Sequence, residues 1–229
     1  MTIKLVVLDM AGTTVRDDDS VNSCLRESLI ASGFHVSRDQ INAVMGMPKP
    51  FAIAALIEGE HKAEAPASKP LIATIHDDFV KRMLAFYRTD VTVGPMPHAV
   101  EALSEIKAAG AKIALDTGFT RPIADAILER LGWMTGFLDA TVTSDEVERG
   151  RPFPDLIERA MVLTGVTDPR EVAKVGDTPS DLLEGTAAGC RLVIGVTNGT
   201  HRADQLALHP HTHLIASLRE LPPIVMATR

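Results

Sequence analysis

The chain has 229 residues, 45% of them hydrophobic, and a net charge of −7, enough for a packed main domain with a smaller one attached. The acidic balance supplies no Lys/Arg stripe to neutralise a nucleic-acid backbone, so nucleic acid is excluded as a partner and a phosphate group must be met in a local pocket. No apolar run reaches membrane-spanning length and the chain runs straight into a strand without a signal-peptide pattern, so no membrane partner and a cytoplasmic location are expected.

The apolar run Ile3-Lys4-Leu5-Val6-Val7-Leu8 predicts a strand that ends on Asp9, with Met10-Ala11-Gly12-Thr13-Thr14 turning tightly after it. Open α/β sheets bind ligands at such carboxyl ends of strands. The polar stretch 15–20 reads as a solvated linker whose Asp and Ser residues cap the next helix. Helical patterns follow over residues 21–32, 38–45, 50–60 and 70–88, with a loop at 62–70 and no strand between them. Residues 91–97, rich in Val, Gly and Pro, predict a hinge strand and turn that bring the chain back.

From His98 onward helix and strand alternate, with strands expected at 112–115, 140–143, 172–175 and 192–196. The expected fold is therefore α/β: a Rossmann-like, doubly wound parallel sheet made from residues 1–15 and 94–229, with an all-helical cap inserted as residues 16–93. His209, His211 and His213 alternate as zinc ligands could, but Pro210 and the apolar run 214–216 favour a surface loop entering a last strand. The tail from Ser217 is expected to form a short helix and closing segment, and Cys24 and Cys190 lie too far apart in sequence to suggest a disulfide.

Three further fragments each suit part of a phosphoryl-transfer site: Asp116-Thr117-Gly118-Phe119-Thr120, Gly150-Arg151-Pro152-Phe153-Pro154 and Val175-Gly176-Asp177-Thr178-Pro179-Ser180-Asp181. With Asp9-Met10-Ala11-Gly12-Thr13 they resemble the four motifs of the haloacid dehalogenase superfamily. Ala11 departs from the superfamily's phosphatases, which carry a second Asp there as general acid and base. Met45-Gly46-Met47-Pro48-Lys49, together with Arg151 in the third motif, is similar to the phosphonatase branch, typified by phosphonoacetaldehyde hydrolase.

That resemblance implies Asp9 as nucleophile, Lys49 as the amine that forms a Schiff base with the substrate aldehyde, and Arg151 as orienting or phosphoryl-binding cation. It implies Thr117 and Gly118 as phosphoryl-binding groups. Met45 and Gly46 would line the pocket, although packing in the cap explains the methionine nearly as well. A Mg²⁺ ion would be held by Asp9, the carbonyl of Ala11, Asp177 and Asp181, hard oxygen donors of the kind this ion takes. The substrate would be a small phosphonate or phosphate, and a homodimer through cap helices is suggested by the resemblance only.

Two departures mark this chain within the branch: Ala52 stands where a His follows the lysine by three, and Phe119 stands where a Tyr follows Thr-Gly. Both replaced groups handle protons or hydrogen bonds near the lysine. Three functions stay open on the sequence: carbon–phosphorus cleavage, a phosphomonoesterase in which Lys49 only binds an anion, and a non-catalytic phosphometabolite-binding protein. The intact set Asp9, Thr117, Arg151 and Asp177 weighs against the last.

Overall fold

The computed structural model describes residues 2–61 and 67–227, so residues 62–66 of the loop expected at 62–70 lie outside the described residues. Six parallel strands form one sheet in the order β3-β2-β1-β4-β5-β6. They are β1 (Leu5–Asp9), β2 (Lys112–Thr117), β3 (Ala140–Thr143), β4 (Val172–Gly176), β5 (Leu192–Val196) and β6 (His213–Ile215). Every residue of β1, β4 and β5 is buried, as continuous apolar runs covered on both faces require. Alternation sorts the side chains: Leu5 and Val7 join Leu156, Ile157 and Ala160 of α7 (Asp155–Thr164), whereas Val6 and Leu8 point into the larger cluster on the opposite face.

Register decides where the chemistry collects. Asp9 pairs with Asp116 across β1 and β2, and Leu8 pairs with Val175 across β1 and β4. The ends of the three central strands, and the loops after them, therefore meet at one edge. The strand order reverses there, which opens a crevice.

Four helices inserted after β1 form the cap: α1 (Ser20–Ala31), α2 (Arg38–Asn42), α3 (Lys49–His61) and α4 (Lys69–Thr89). Along α4 the residues Ile75, Phe79, Met83 and Tyr87 recur every fourth position and are all buried, giving the apolar stripe that packs against its neighbours. The expected hinge strand at 91–97 reduces to a single bridge between Val15 and Pro95, flanked by bonds from Arg16 N to Gly94 O (2.9 Å) and from Met96 N to Thr14 O (2.9 Å). Pro95 and Pro97 have no N–H to extend a ladder, so two linkers lie side by side without becoming a sheet.

After β2 comes α6 (Arg121–Leu131), which packs against α4, while α8 (Pro179–Ala187) follows β4. α5 (Ala99–Ala108) leads into β2, α9 (Ala203–Leu206) precedes β6, and α10 (Leu221–Ala227) closes the described chain. Among the described residues no helix is long and apolar enough to cross a membrane. Both cysteines are free thiols.

Candidate active site

β1 delivers Asp9 to the sheet edge, 6% exposed, and the turn after it is held by Thr14, whose hydroxyl donates to Asp9 O (2.8 Å). Gly12 takes φ +89°, and a Cβ there would lie 2.4 Å from Asp177 Oδ2, so only glycine lets the turn pass this close to the second carboxylate. Asp177 accepts from Thr13 Oγ1 (3.0 Å) and from Thr200 N (2.7 Å). Asp181 does two jobs at the start of α8. Its Oδ2 accepts from Thr178 N (3.1 Å) as part of a capping box, while Oδ1 lies 3.0 Å from Arg151 Nη1.

Arg151 is the hub of the site, its side chain wholly buried. Nη1 donates to Asp9 Oδ1 (2.6 Å), Nε to Glu184 Oε2 (2.9 Å), and Nη2 to the Asp116 carboxylate and to Asp116 O (3.1 Å). The planar guanidinium is thus spoken for on each nitrogen, which suits it to hold Asp9 in one orientation. Neighbouring Arg149 is half-exposed and pairs with Asp155 (2.9 Å) at the surface.

Beneath Arg151 lies a second cation to which the sequence reading gave no role. Lys174, in the middle of β4, is wholly buried and reaches Asp116 Oδ2 (2.6 Å), Glu184 Oε2 (2.8 Å) and Asp181 Oδ1 (3.2 Å). Asp116 and Glu184 had no role in that reading either. A lysine inside an otherwise apolar strand and a glutamate on the buried face of an amphipathic helix are signals that could have revealed the pair.

The cap brings its own loop down onto this edge. Gly46 has φ +83° and a Cβ there would meet Thr178 Oγ1 at 2.4 Å, while a Cβ on Gly118 would lie 3.0 Å from both Gly46 O and Met47 O. Cap loop and core loops therefore touch through backbone, as a closed cap requires. Lys49 opens α3 directly behind this loop and is 4% exposed. Its Nζ lies 5.9 Å from the ring centroid of Phe79 and 5.6 Å from that of Phe119. Burial draws the amine down to about 8, with Asp9 and Asp17 opposing that shift and Arg151 adding to it.

Asp9, Ala11, Met45, Gly46, Lys49, Thr117, Gly118 and Arg151 line one small cavity of about 30 Å³. It also includes Asp17 and Thr200, which the sequence reading left outside the site. Tyr87, on α4, is buried with a hydroxyl that has no hydrogen-bond partner among the described residues, and its ring meets Phe119 edge-on at 6.1 Å. His211 and His213 are exposed at the entry to β6 and do not line this cavity.

Asp9, Asp116 and Asp181 present oxygens within 4.8 Å of one another, a cluster consistent with a metal site. Asp116 is already neutralised by Arg151 and Lys174, whereas Asp9 is not relieved to the same degree. Burial pushes its carboxyl up to about 8 against the pull of Arg151, and the like charges of Asp181 and Asp177 add to the rise. Burial and Asp181 likewise push Asp177 up to about 6. Oxygen donors that repel one another in a buried edge suit a hard divalent cation, so these residues fit such an ion.

Over residues 3–189 the chain matches the family model of haloacid dehalogenase-like hydrolases. The chain belongs to that family. Among curated relatives of this hydrolase, phosphonoacetaldehyde hydrolase from Latilactobacillus sakei is 30% identical over 203 residues, 85% of this chain and 75% of the relative. Phosphonoacetaldehyde hydrolase from Syntrophobacter fumaroxidans is 30% identical over 195 residues, covering 82% and 70%. Among solved structures, a phosphonoacetaldehyde hydrolase-like protein from Oleispira antarctica superposes on the hydrolase with a TM-score of 0.85 at 18% identity, covering 100% of this chain and 93% of the other. CbbY from Rhodobacter sphaeroides, solved with phosphate, gives 0.79 at 20% identity with 96% of each chain covered. At those identities the two structures support the fold, and hydrolases of this family bind small phosphorylated substrates.

Proposed function

We propose that this hydrolase is Mg²⁺-dependent and cleaves the carbon–phosphorus bond of phosphonoacetaldehyde or a close relative, giving an aldehyde and phosphate through an aspartyl-phosphate on Asp9. The observation that carries it is Lys49: a buried lysine, beside two phenyl rings, whose amine is drawn to about 8 and which shares a cavity with Asp9. A lysine meant only to bind an anion is better left fully charged. One meant to attack a carbonyl must release its proton near neutral pH.

In this reading Arg151 aims Asp9 at phosphorus, and Thr117 and the Gly118 amide receive the phosphoryl oxygens. Thr117 Oγ1 already accepts from Phe119 N (3.1 Å), which leaves its hydrogen to donate. Asp9, the carbonyl of Ala11, Asp177 and Asp181 would hold Mg²⁺, which supplies charge neutralisation between the carboxylate and the phosphoryl group. Lys49 forms an imine with the aldehyde, so the bond to phosphorus breaks with its electrons entering an enamine rather than a free carbanion. The cap, taken as residues 16–93, closes over a core of 1–15 and 94–229. A cavity of about 30 Å³ has room for water only, so the cap must open to admit substrate.

Borohydride added with phosphonoacetaldehyde tests this. The expected result is a reduced adduct on Lys49, inactivation, and loss of carbon–phosphorus cleavage in Lys49→Arg, which keeps the charge but not the amine. Absence of an adduct, with robust ester hydrolysis that tolerates Lys49→Arg, would assign the hydrolase to phosphate monoesters instead.

A further inference from the structure

Ala11 leaves the site without an acid two residues after Asp9, and Ala52 and Phe119 bring no proton-handling group near Lys49. Four titratable side chains line the cavity: Asp9, Asp17, Lys49 and Arg151. Asp9 is the nucleophile of the reading above, and Arg151 is fixed by Asp9, Asp116, Asp181 and Glu184. Lys49 is the amine itself. Tyr87 and His76 carry buried polar atoms without hydrogen-bond partners among the described residues, but neither lines the cavity. Asp17 is what is left.

We propose that Asp17 is the proton-transfer group of this site, relaying the protons that Lys49 loses as it forms an imine; the proposal rests on the imine reading. Asp17 sits between Asp9 and the first cap helix, and its Oδ1 accepts from Ser20 N (2.7 Å) and Val21 N (3.2 Å). Both of those bonds fall on one oxygen, so the first amides of α1 fix the carboxyl at one end while the group still borders the cavity. Burial raises its carboxyl and burial lowers the Lys49 amine, each partner's charge partly offsetting the other's shift. The two groups are thereby brought closer in proton affinity, the condition for transfer in both directions.

The step balances without an outside reagent. The Asp17 carboxylate takes one proton from the Lys49 ammonium, and the freed Nζ lone pair forms the C–N bond while the carbonyl π pair moves to oxygen. Two protons pass from nitrogen to that oxygen, the last through Asp17, and the C–O bond breaks to release water as C=N forms. Asp17 ends as the carboxylate it began as, and the imine keeps the positive charge.

Asp17→Asn is the test, because Asn keeps an acceptor for the α1 amides but relays no proton. With intact metal-loaded protein and phosphonoacetaldehyde as probe, the rate of borohydride-trapped adduct on Lys49 should fall at least about 100-fold, at a melting temperature near that of the unsubstituted chain. Asp17→Ser, which also offers an oxygen to the helix, should behave alike and covers the case in which Asn misfolds. Trapping within about threefold of the unsubstituted rate in either folded variant overturns the proposal and leaves the imine reading standing. Unfolding of both variants assigns Asp17 to capping alone and overturns it too. No adduct in the unsubstituted protein overturns the imine reading, and the proposal with it.

Discussion

Replacing Lys174 by Met removes a cation that three carboxylates share. Asp116 Oδ2 at 2.6 Å, Glu184 Oε2 at 2.8 Å and Asp181 Oδ1 at 3.2 Å would be left with Arg151 as their one buried cationic side chain among the described residues. Deleting one partner of a buried ion pair costs about 3–5 kcal/mol, a large share of the roughly 5–15 kcal/mol that holds a domain together. At about 2–4 °C per kcal/mol for a chain of this size, the melting temperature should drop by roughly 6–20 °C.

A carboxyl can limit that loss by taking up a proton. Burial, and then the charge of Asp116, already push Glu184 up to about 8 with Lys174 and Arg151 opposing, and removing Lys174 pushes it further. A carboxyl raised in the folded state binds its proton there more tightly than in the unfolded chain. Its contribution is present at low pH and fades as pH climbs through the folded value. The Lys174→Met penalty should therefore be smaller at pH 6 than at pH 9, and adding Glu184→Gln should recover part of it. Urea denaturation at the two pH values, with an unchanged m, measures this. A cost below about 1 kcal/mol at both, or a larger cost at pH 6, would refute the network as a charge-balanced unit.

Asp9→Asn should abolish turnover while the melting curve stays that of a folded protein, since an amide is no nucleophile and a poorer metal ligand; activity near that of the unsubstituted chain would rule out the aspartyl-phosphate. A chelator should stop turnover and added Mg²⁺ restore it, and metal-independent turnover would refute the ligand set. With its amine at about 8, Lys49 is mostly charged below that value and neutral above it. Adduct formation should accordingly rise about tenfold per pH unit up to about pH 8 and then level off, in trapping rates measured from pH 6 to 10. A rise that continues to pH 10 would show an ordinary exposed lysine, and a flat profile would show that loss of the Lys49 proton does not control the adduct; either refutes the reasoning.

Local chemistry made much of the site legible. A strand of buried apolar residues closing on Asp9 has one end at which a nucleophile can stand, and the spacing of Thr-Gly and of Gly-Asp-Thr-x-x-Asp places polar groups at the same level of neighbouring strands. Asp181, expected as a metal ligand, also caps α8 through one oxygen and meets Arg151 through the other. The hinge expected at 91–97 failed as a strand because its prolines end the ladder, a fact already present in the sequence but outweighed by its valines.

The sequence by itself determined the alternating α/β core, the helical insertion and the family's motifs, because each depends on periodicity and short spacings along the chain. Tertiary structure alone decided that Lys49 is buried beside Phe79 and Phe119, that Asp17 borders the same cavity, and that Asp116, Lys174 and Glu184 stand behind Arg151. These groups come from a linker, a cap and separate strands and helices. Their meeting depends on sheet register and cap closure, and both a lysine's proton affinity and the cost of a buried charge follow from which groups are brought within a few ångströms of it.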